Sequence, residues 1–280
     1  MELTKITNKE EFNNYVSEVC GVYGFNIAYE NIDQVSEKDY QQIRMDWFGA
    51  SDSSRLLDVN PFAKGSSTEL LHEKLTGEVD ESIGKKASVR MGKDIEEVIL
   101  RKLQEAFEHT EECWLDKPIH MYGNFNNHLG INFDAVLVNF IDNNHGVINK
   151  PIPVEIKSVT KYGRKYYNFD KSKAYQKDGE WNERDLKEPL MNVTTSIKDA
   201  ADLYGIPVYY YTQLQQQMLA LNSDIGLLAA MDVDNWDIHI FMIKKDDLVR
   251  EQLLKFSERL WNQLKTTKEL RKLKETKVNS

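Results

Sequence analysis

The sequence has few of the residues that covalent cross-links and thiolate metal sites require. Its 280 residues include two cysteines, Cys20 and Cys113, which are too few for a disulfide framework or a four-thiolate zinc site. We therefore expect both to be free thiols in a reducing compartment. The same count argues against an iron–sulfur cluster, which needs several thiolate ligands.

Other common signatures are missing as well. No apolar run reaches the length of a membrane-spanning helix, and the first residues lack the features of a secretory signal, so we expect a cytoplasmic protein without membrane contact. The six histidines show neither His-x-x-His nor metalloprotease spacing, and Gly84-Lys-Lys does not meet the spacing of a phosphate-binding loop. Histidine metal sites and ATP-driven motion are therefore not indicated.

The chain also lacks an excess of positive charge. Its formal net charge of −9 argues against simple non-specific binding of polyanions. Residues 161–177 are a local exception, with six basic side chains against one acidic side chain and with tyrosines interleaved. Rings can stack on bases while cations follow phosphates, so this segment is a candidate DNA-contacting lid, with Lys161, Arg164 and Lys165 as candidate contacts. The alternative is a surface insertion with a small aromatic cluster.

The order of the patterns favours one α/β domain over residues 1–280, with no internal repeat and no obvious linker. We expect a helical part over 1–90, a core over 91–245 with an insertion at about 160–195, and a C-terminal helix and tail over 246–280. Residues 1–47 show helical spacing and no strand pattern. The polar, Gly-containing stretch 76–88 is predicted as a loop.

Within this outline the pattern predicts individual elements. Two of them are a strand at Val208 that passes into a helix through Gln213–Ala220, and a long helix from about Asp246 with an apolar side. The remaining predicted elements are a short helix before Asn60, a helix at Thr68–Lys74, an amphipathic helix at Gly92–His109, and strands at Ile131–Phe140, Val154–Ser158, Ile225–Met231 and Ile238–Ile243.

Two predicted strands carry a set of charged residues. In Val154–Ser158 alternate side chains share a face, so Glu155 and Lys157 point together while their neighbours face the core. Asp134 lies in the apolar run before it, where a lone carboxylate is costly unless it is paired or bound to metal. On the amphipathic helix Glu96 lies beside the apolar stripe, so we expect it to point inward and Glu97 outward.

Three inward carboxylates and a lysine are typical of divalent-metal phosphodiester hydrolysis. Hard oxygen ligands hold Mg²⁺ while leaving positions for water and phosphate. A bound ion activates water and neutralises charge that develops on phosphorus, and a second ion stabilises the leaving oxygen. We therefore expect Mg²⁺, with Mn²⁺ as a possible substitute, and a lysine that orients water or stabilises the phosphate.

With these residues in place, the sequence resembles the YqaJ-like and lambda-exonuclease family of viral recombination nucleases in the PD-(D/E)xK superfamily. The resemblance covers roughly residues 40–265 and rests on four motifs in the family's order. These motifs are the Gly-Ala-Ser-Asp turn and Asn-Pro-Phe within Phe48–Gly77, the segment Gly92-Lys-Asp-Ile-Glu96, Asp134 with Glu155-Ile-Lys157, and the Tyr-x-x-Gln-x-Gln pattern within Tyr210–Met218.

The resemblance implies a restriction-endonuclease-like core and a 5′→3′ exonuclease on double-stranded DNA ends that leaves 3′ single-stranded tails for recombination. It also implies a homotrimer, a single-strand annealing protein as partner, and a phage or prophage source in a bacterial cell. The implied roles are metal ligation by Glu96, Asp134, Glu155 and the Ile156 carbonyl, catalysis by Lys157 and Gln215, DNA contact by Gln213, and binding of a 5′-phosphate by Arg44 and Ser51.

The sequence departs from the family in two places. Phe133-Asp134-Ala135 stands where the family commonly has Pro-Asp-Gly, and the segment between Lys157 and Gln213 is longer than usual. Three alternatives remain open at this stage: a restriction-like endonuclease with the same core, a DNA-end binding scaffold with an incomplete metal site, and an unrelated α/β protein with a chance motif. The first would cut closed circular DNA, whereas an end-dependent exonuclease would not.

Overall fold

Helices and short strands alternate along the chain. The computed structural model describes residues 6, 9–20, 25–29, 44–62, 65–77, 87–107, 114–116, 120–123, 128–142, 146–148, 150–176 and 196–278. The α-helices within these ranges are α1 (Lys9–Tyr15), α2 (Ser53–Leu56), α3 (Ser67–Thr76), α4 (Ala87–Phe107), α5 (Ile197–Tyr204), α6 (Val208–Ala220) and α7 (Asp247–Val278). The strands are β1 (Phe25–Tyr29), β2 (Phe48–Gly49), β3 (Trp114–Asp116), β4 (His120–Gly123), β5 (Leu129–Asn132), β6 (Ala135–Val138), β7 (Phe140–Asp142), β8 (Gly146–Ile148), β9 (Ile152–Val159), β10 (Lys173–Tyr175), β11 (Ile225–Asp232) and β12 (Ile238–Lys244).

The larger sheet is mixed. Its six strands lie in the order β10-β12-β11-β9-β6-β3, and β9 runs parallel to β11 while the other neighbours are antiparallel. A parallel pair needs a long crossover, which here includes α5 and α6. A four-stranded sheet, β1-β4-β5-β2, and the pair β7-β8 complete the described strands. The expected α/β class, with a central mixed sheet flanked by helices, is confirmed.

Helices cover both faces of the six-stranded sheet. Because successive strand residues point to opposite faces, Ile156 of β9 belongs to the apolar cluster that includes Ile99 of α4. Leu228 of β11 points the other way and belongs to the cluster that includes Leu214 of α6. The sheet therefore separates α4 from α6, and Glu155, one position before Ile156, lies on the side of α6.

The long C-terminal helix begins close to the predicted position. Asp246 caps α7, since its Oδ1 accepts hydrogen bonds from Leu248 N and Val249 N, both at 3.1 Å. The predicted apolar side is largely buried, including Val249, Leu253, Leu260 and Leu264. The described residues contain no helix that is both long enough and apolar enough to span a bilayer. Cys20 is a buried free thiol, and Cys113 lies outside the described residues.

Residues 131–140 were predicted as one strand, and this prediction is wrong. They are divided among β5, β6 and β7, which belong to three different sheets. The chain bends at Phe133–Asp134 and again at Asn139, whose φ is 54°. Apolar character continues across both bends, so hydrophobic patterning does not reveal them. Asp134 consequently lies at a break between two strands and not inside one.

Two other predictions were also wrong. Val208 starts helix α6 directly, with Pro207 at the N-cap, although the aromatic run that follows has high strand propensity. Burial of Tyr211 and the 2.9 Å bond from its hydroxyl to Asp246 Oδ2 show how tertiary contacts overrule that propensity. Residues 25–29 form β1, which pairs with β4, in a region predicted to lack strands. Residues 30–43 and 78–86 lie outside the described part.

Gly205 ends helix α5 and packs closely against Asn168, in the segment that follows β9. Its φ of 73° lies in the left-handed region, and a Cβ there would stand 2.9 Å from Asn168 Cβ and 3.0 Å from Asn168 O. We expect Gly205→Ala to lower the free energy of unfolding by about 2–3 kcal/mol, because strain and overlap both contribute. Urea unfolding measures this change.

Gly77→Ala is the matched control for that experiment. Gly77 has a φ of 68°, but a Cβ there would have no atom within 4 Å. Only the backbone cost of about 1 kcal/mol then applies. Equal losses in the two variants would contradict the proposed overlap with Asn168.

Candidate active site

Asp134, Glu155 and Lys157 come together where β6 and β9 pair, and we call them the carboxylate–lysine cluster. Ala135 of β6 lies opposite Val154 of β9, which brings the bend at Asp134 beside Glu155 and Lys157. The two segments that carry these residues are therefore direct neighbours in the six-stranded sheet. The Ile156 N–H donates to Asp134 Oδ2 at 2.8 Å, so the backbone of β9 fixes the position of this carboxylate.

The Lys157 ammonium group lies between the two carboxylates. Its Nζ donates to Asp134 Oδ2 at 3.1 Å and to Ile156 O at 2.7 Å, and it also forms an ion pair with Glu155 Oε1. The Tyr210 ring lies 5.6 Å from the same nitrogen, which adds a cation–π contact. One cation therefore contacts three of the groups that were predicted as metal ligands: Asp134, Glu155 and the Ile156 carbonyl.

Glu155 is held from the other side by Gln217 of α6. Gln217 Nε2 donates to Glu155 Oε2 at 2.7 Å and to Asn132 O at 3.4 Å. Sequence reasoning named Gln213 and Gln215 and missed Gln217. The signal was available, because Tyr210, Gln213 and Gln217 share one face of a helix at spacings of three and four residues.

Burial and charge set the protonation of the cluster. Glu155 is only 1 % exposed. This burial, together with the Asp134 carboxylate, raises the pKa of Glu155 from 4.5 to about 7, against the opposing effects of Lys157 and Gln217. For Lys157, burial disfavours the charged form, but the carboxylates of Asp134 and Glu155 hold its pKa well above the usual value. The two carboxylates therefore keep Lys157 cationic at neutral pH, whereas burial and Asp134 favour the protonated form of Glu155.

The oxygen atoms of this site fit a hard divalent cation. Two carboxylates and the Ile156 carbonyl are the kind of ligand that Mg²⁺ prefers, and mutual repulsion of Asp134 and Glu155 would be relieved by a cation. The described residues contain no group of three or more His, Cys, Asp or Glu side chains placed to hold a metal ion. Asp134, Glu155 and the Ile156 carbonyl as ligands therefore stay a prediction that the donor chemistry supports.

Glu96 does not join Asp134 and Glu155 in such a group. It is half-buried, whereas Glu97 is exposed, which agrees with the predicted difference between the two side chains. Its helix, α4, covers the face of the sheet opposite to α6, and Gly92 approaches Ser158 of β9 on that face, at 3.7 Å from Ser158 Oγ for a built Cβ. The role of Glu96 as a metal ligand stays a prediction.

Gln215 and Gln213 occupy different positions on α6. Gln215 is buried, its Nε2 donates to Lys244 O at 2.8 Å, and its Oε1 accepts from Asp246 N at 2.8 Å. Residues two apart on a helix point in nearly opposite directions, so the face that brings Gln217 to Glu155 turns Gln215 away. Gln213 is half-buried. Contact of Gln213 or Gln215 with substrate stays a prediction.

Arg44 and Ser51 lie beside a buried ion pair between Asp52 and Lys74. Asp52 Oδ2 lies 3.3 Å from Lys74 Nζ and accepts from Gly49 N at 3.1 Å. Burial opposes ionisation of Asp52, but Lys74, Arg44 and Arg55 together lower its pKa. Arg44 and Ser51 themselves are exposed. The structure therefore brings both predicted phosphate contacts to one region, beside a fixed anion.

This region is joined to the carboxylate–lysine cluster through α6. Ser53 Oγ donates to Thr212 Oγ1 at 3.0 Å, and Gln216 Nε2 donates to Phe48 O at 3.1 Å. Gln216 and Gln217 are neighbours on the helix, so one rigid element positions both regions. Lys161, Arg164 and Lys165 follow β9 in a turn and are exposed.

Comparison with known proteins identifies the fold. No family model matches the chain, and no curated protein matches it. The crystal structure of LHK-Exo in complex with dAMP superposes with a TM-score of 0.55 at 12% identity, covering 87% of this chain and 100% of that chain. A crystal structure of this alkaline exonuclease from Laribacter hongkongensis gives 0.53 at 15% identity, covering 86% and 99%. The chain therefore has a PD-(D/E)xK-like fold.

Proposed function

We propose that this protein is a Mg²⁺-dependent deoxyribonuclease that degrades duplex DNA from its ends. The observation that carries the proposal is the carboxylate–lysine cluster, in which Asp134, Glu155 and Lys157 meet at the pairing of β6 and β9. Its support is the fold shared with an alkaline exonuclease over 86% of this chain. Fold alone does not define function, so the chemistry of the cluster decides the proposal.

Asp134, Glu155 and the Ile156 carbonyl would hold the metal, with Glu96 as a further proposed ligand. When bound, Mg²⁺, as one or two ions or replaced by Mn²⁺, supplies charge neutralisation and an activated water for attack on phosphorus. The protein's own side chains then contribute through the fixed positions of their charges around the phosphate. Lys157 places a fixed positive charge beside the reacting phosphate, where it stabilises the negative charge that develops in the transition state.

Gln217 has a positioning role in this proposal. Its amide fixes Glu155, and a hydrogen bond to the ionised form favours that form. Tyr210 lies against Lys157 and restricts the lysine side chain. Neither residue needs to touch the substrate, because both act by holding a group that does.

Gln217→Met should keep the packing of α6 and remove the hydrogen bond. We expect the hydrolysis rate to fall about tenfold to a hundredfold, as for other partners of metal ligands. The loss of this bond also raises the pKa of Glu155, so the pH–rate profile should move to higher pH. Rates measured across a pH series test both effects. A lower rate with an unmoved profile would contradict the assigned role.

The direction and context of degradation are also part of the proposal. Arg44 and Ser51, which lie together beside Asp52, would bind a 5′-phosphate and so direct 5′→3′ degradation that leaves 3′ tails. A homotrimer around DNA, a single-strand annealing protein and a phage or prophage setting in the bacterial cytoplasm complete the proposal. These last points rest on the sequence resemblance.

Two substrates separate an exonuclease from its rivals. Purified protein with Mg²⁺ is incubated with linear duplex carrying 5′-phosphates and with the same DNA as a closed circle. We expect loss of the linear form only, with less activity on 5′-hydroxyl ends and in Arg44→Ala. Cutting of the circle would favour a restriction-like endonuclease. Binding of ends without any cleavage would favour a scaffold.

A further inference from the structure

A row of aromatic rings leads from the carboxylate–lysine cluster to the surface. The Tyr210 ring stands 5.6 Å from Lys157 Nζ, the Tyr209 ring stands 4.4 Å from that of Tyr210, and the Phe62 ring stands 5.2 Å from that of Tyr209. Tyr209 and Tyr210 are half-buried, but Phe62 is 54% exposed. The row therefore ends at a ring that is largely exposed to solvent.

A second exposed ring stands close to this row. Tyr166, which is 50% exposed, directly precedes Tyr167, whose ring stands 6.4 Å from that of Tyr210. Lys165 Nζ lies 5.0 Å from the Tyr166 ring centroid, and Lys161 Nζ lies 5.2 Å from that of Tyr162. Exposed rings and cations thus alternate on one surface beside the candidate active site.

The turn that carries Tyr166 is anchored on the fold. Arg164 forms a 3.2 Å ion pair with the buried Asp232, and Asn168 N donates to Gly205 O at 2.8 Å. The Tyr167 ring stands 5.6 Å from that of Phe169, which stacks at 4.0 Å on His239. The exposed ring is therefore presented by a fixed backbone, so binding to it requires little ordering of the turn.

We propose that Phe62, Tyr166 and Tyr209 form a stacking surface for unpaired nucleobases of single-stranded DNA, with Lys161 and Lys165 contacting its phosphates. This inference rests on the proposed nuclease function and adds to it a binding site for the strand that leaves the duplex. Inside a duplex each base face is covered by the neighbouring base pair, so a row of rings can stack on successive bases only where the strands have separated. The surface would thus hold a strand already separated from its partner, next to the cluster that cuts.

The size and spacing of the rings fit this occupant. Every base has a flat π-face, so a set of rings binds single strands without sequence preference, while lysines follow the backbone. Ring centroids 4.4 and 5.2 Å apart are close enough for a continuous apolar surface. A protein partner would instead need a larger apolar area than a few rings flanked by lysines provide.

Binding without cleavage tests the stacking surface directly. The full-length protein in EDTA is titrated with a short fluorescent single-stranded oligonucleotide and with an abasic strand of equal length. We expect Phe62→Ala and Tyr166→Ala each to weaken binding of the normal strand about tenfold and to leave the abasic strand unaffected. Leu248→Ala, which alters a 69% exposed side chain on α7, is the control and should bind as the wild type does.

A salt series separates stacking from charge. Lys165→Gln should reduce the slope of log affinity against log salt by about 1, whereas Phe62→Ala should leave the slope unchanged. Equal affinity of the wild type for normal and abasic strands would overturn the stacking surface. Unchanged binding in both ring variants would overturn it as well.

The same protein assayed with Mg²⁺ on linear duplex distinguishes this inference from the nuclease proposal. Hydrolysis without base-dependent binding would leave the nuclease standing and remove the stacking surface. Base-dependent binding that both ring variants lose, in a protein that hydrolyses no DNA, would support the surface and remove the nuclease.

Discussion

Glu155→Gln should reduce hydrolysis of linear duplex DNA by about a thousandfold or more. The carboxylate is buried, accepts a hydrogen bond from Gln217 and forms an ion pair with Lys157. An amide keeps the shape of the side chain but removes the charge that binds a cation, and metal-assisted hydrolysis depends on several kcal/mol from that cation. Release of acid-soluble nucleotides measures the loss.

Asp224→Asn is the matched control for the Glu155 exchange. Asp224 is a partly exposed carboxylate just before β11, paired with Lys150 at 2.7 Å and Lys245 at 2.9 Å. Exposed ion pairs contribute little to stability, so this variant should hydrolyse DNA at the wild-type rate. Substantial activity in Glu155→Gln would mean that the cluster is not the catalytic site.

Mg²⁺ should raise the melting temperature far more at pH 8 than at pH 5.5. The pKa of Glu155 is raised to about 7, so protons compete with metal, and the apparent affinity should fall about thirtyfold at the lower pH. A ligand present at a hundred times its Kd stabilises the folded state by about 2.7 kcal/mol. Thermal unfolding with and without Mg²⁺ at the two pH values measures the difference.

In the metal-free protein, the Glu155 carboxyl should make the folded state less stable as pH rises. Since the folded pKa of Glu155 lies above the unfolded value of 4.5, its contribution to stability is present below pH 4.5 and is lost as pH rises through about 7. Glu155→Gln should therefore be more stable than the wild type at pH 8 without metal and should lose most of the Mg²⁺ effect. A Mg²⁺ effect of equal size at both pH values would contradict the assignment.

The part of the site that lies on one regular strand could be predicted from sequence. Glu155 and Lys157 alternate with Val154 and Ile156, and the strand period alone places the first two on one face. The same holds for α4 and α7, where long helical periodicity located the buried positions. Local patterns were sufficient there because one element supplies all the geometry.

The remaining parts depend on contacts between distant segments. Asp134 could be recognised as a candidate, but its place at a bend between two sheets could not, since the apolar pattern continues through the bend. Gln217 shares a helix face with Tyr210 and Gln213, but it was missed because the sequence does not show which of three consecutive glutamines faces Glu155. In the structure their side chains form different hydrogen bonds: Gln215 with the backbone at the start of α7, Gln216 with the backbone of β2, and Gln217 with the carboxylate of Glu155.

The segment after β9 contains a strand that the sequence did not indicate. Within residues 160–195, which were interpreted as an insertion, Lys173–Tyr175 forms β10 and pairs with β12 in the six-stranded sheet. Its short length and mixed composition give no strand signal, so pairing with β12 determines its conformation. Residues 177–195 lie outside the described part of the chain.

The most direct test of the central claim is one time course with wild-type protein on uniformly labelled linear duplex DNA. Parallel reactions contain Mg²⁺, EDTA, or Mg²⁺ with Lys157→Met. The account predicts steady release of acid-soluble nucleotides with Mg²⁺ and wild-type protein, and none in the other two reactions. Equal release in EDTA, or full activity of Lys157→Met, would contradict a metal-dependent site built from Asp134, Glu155 and Lys157.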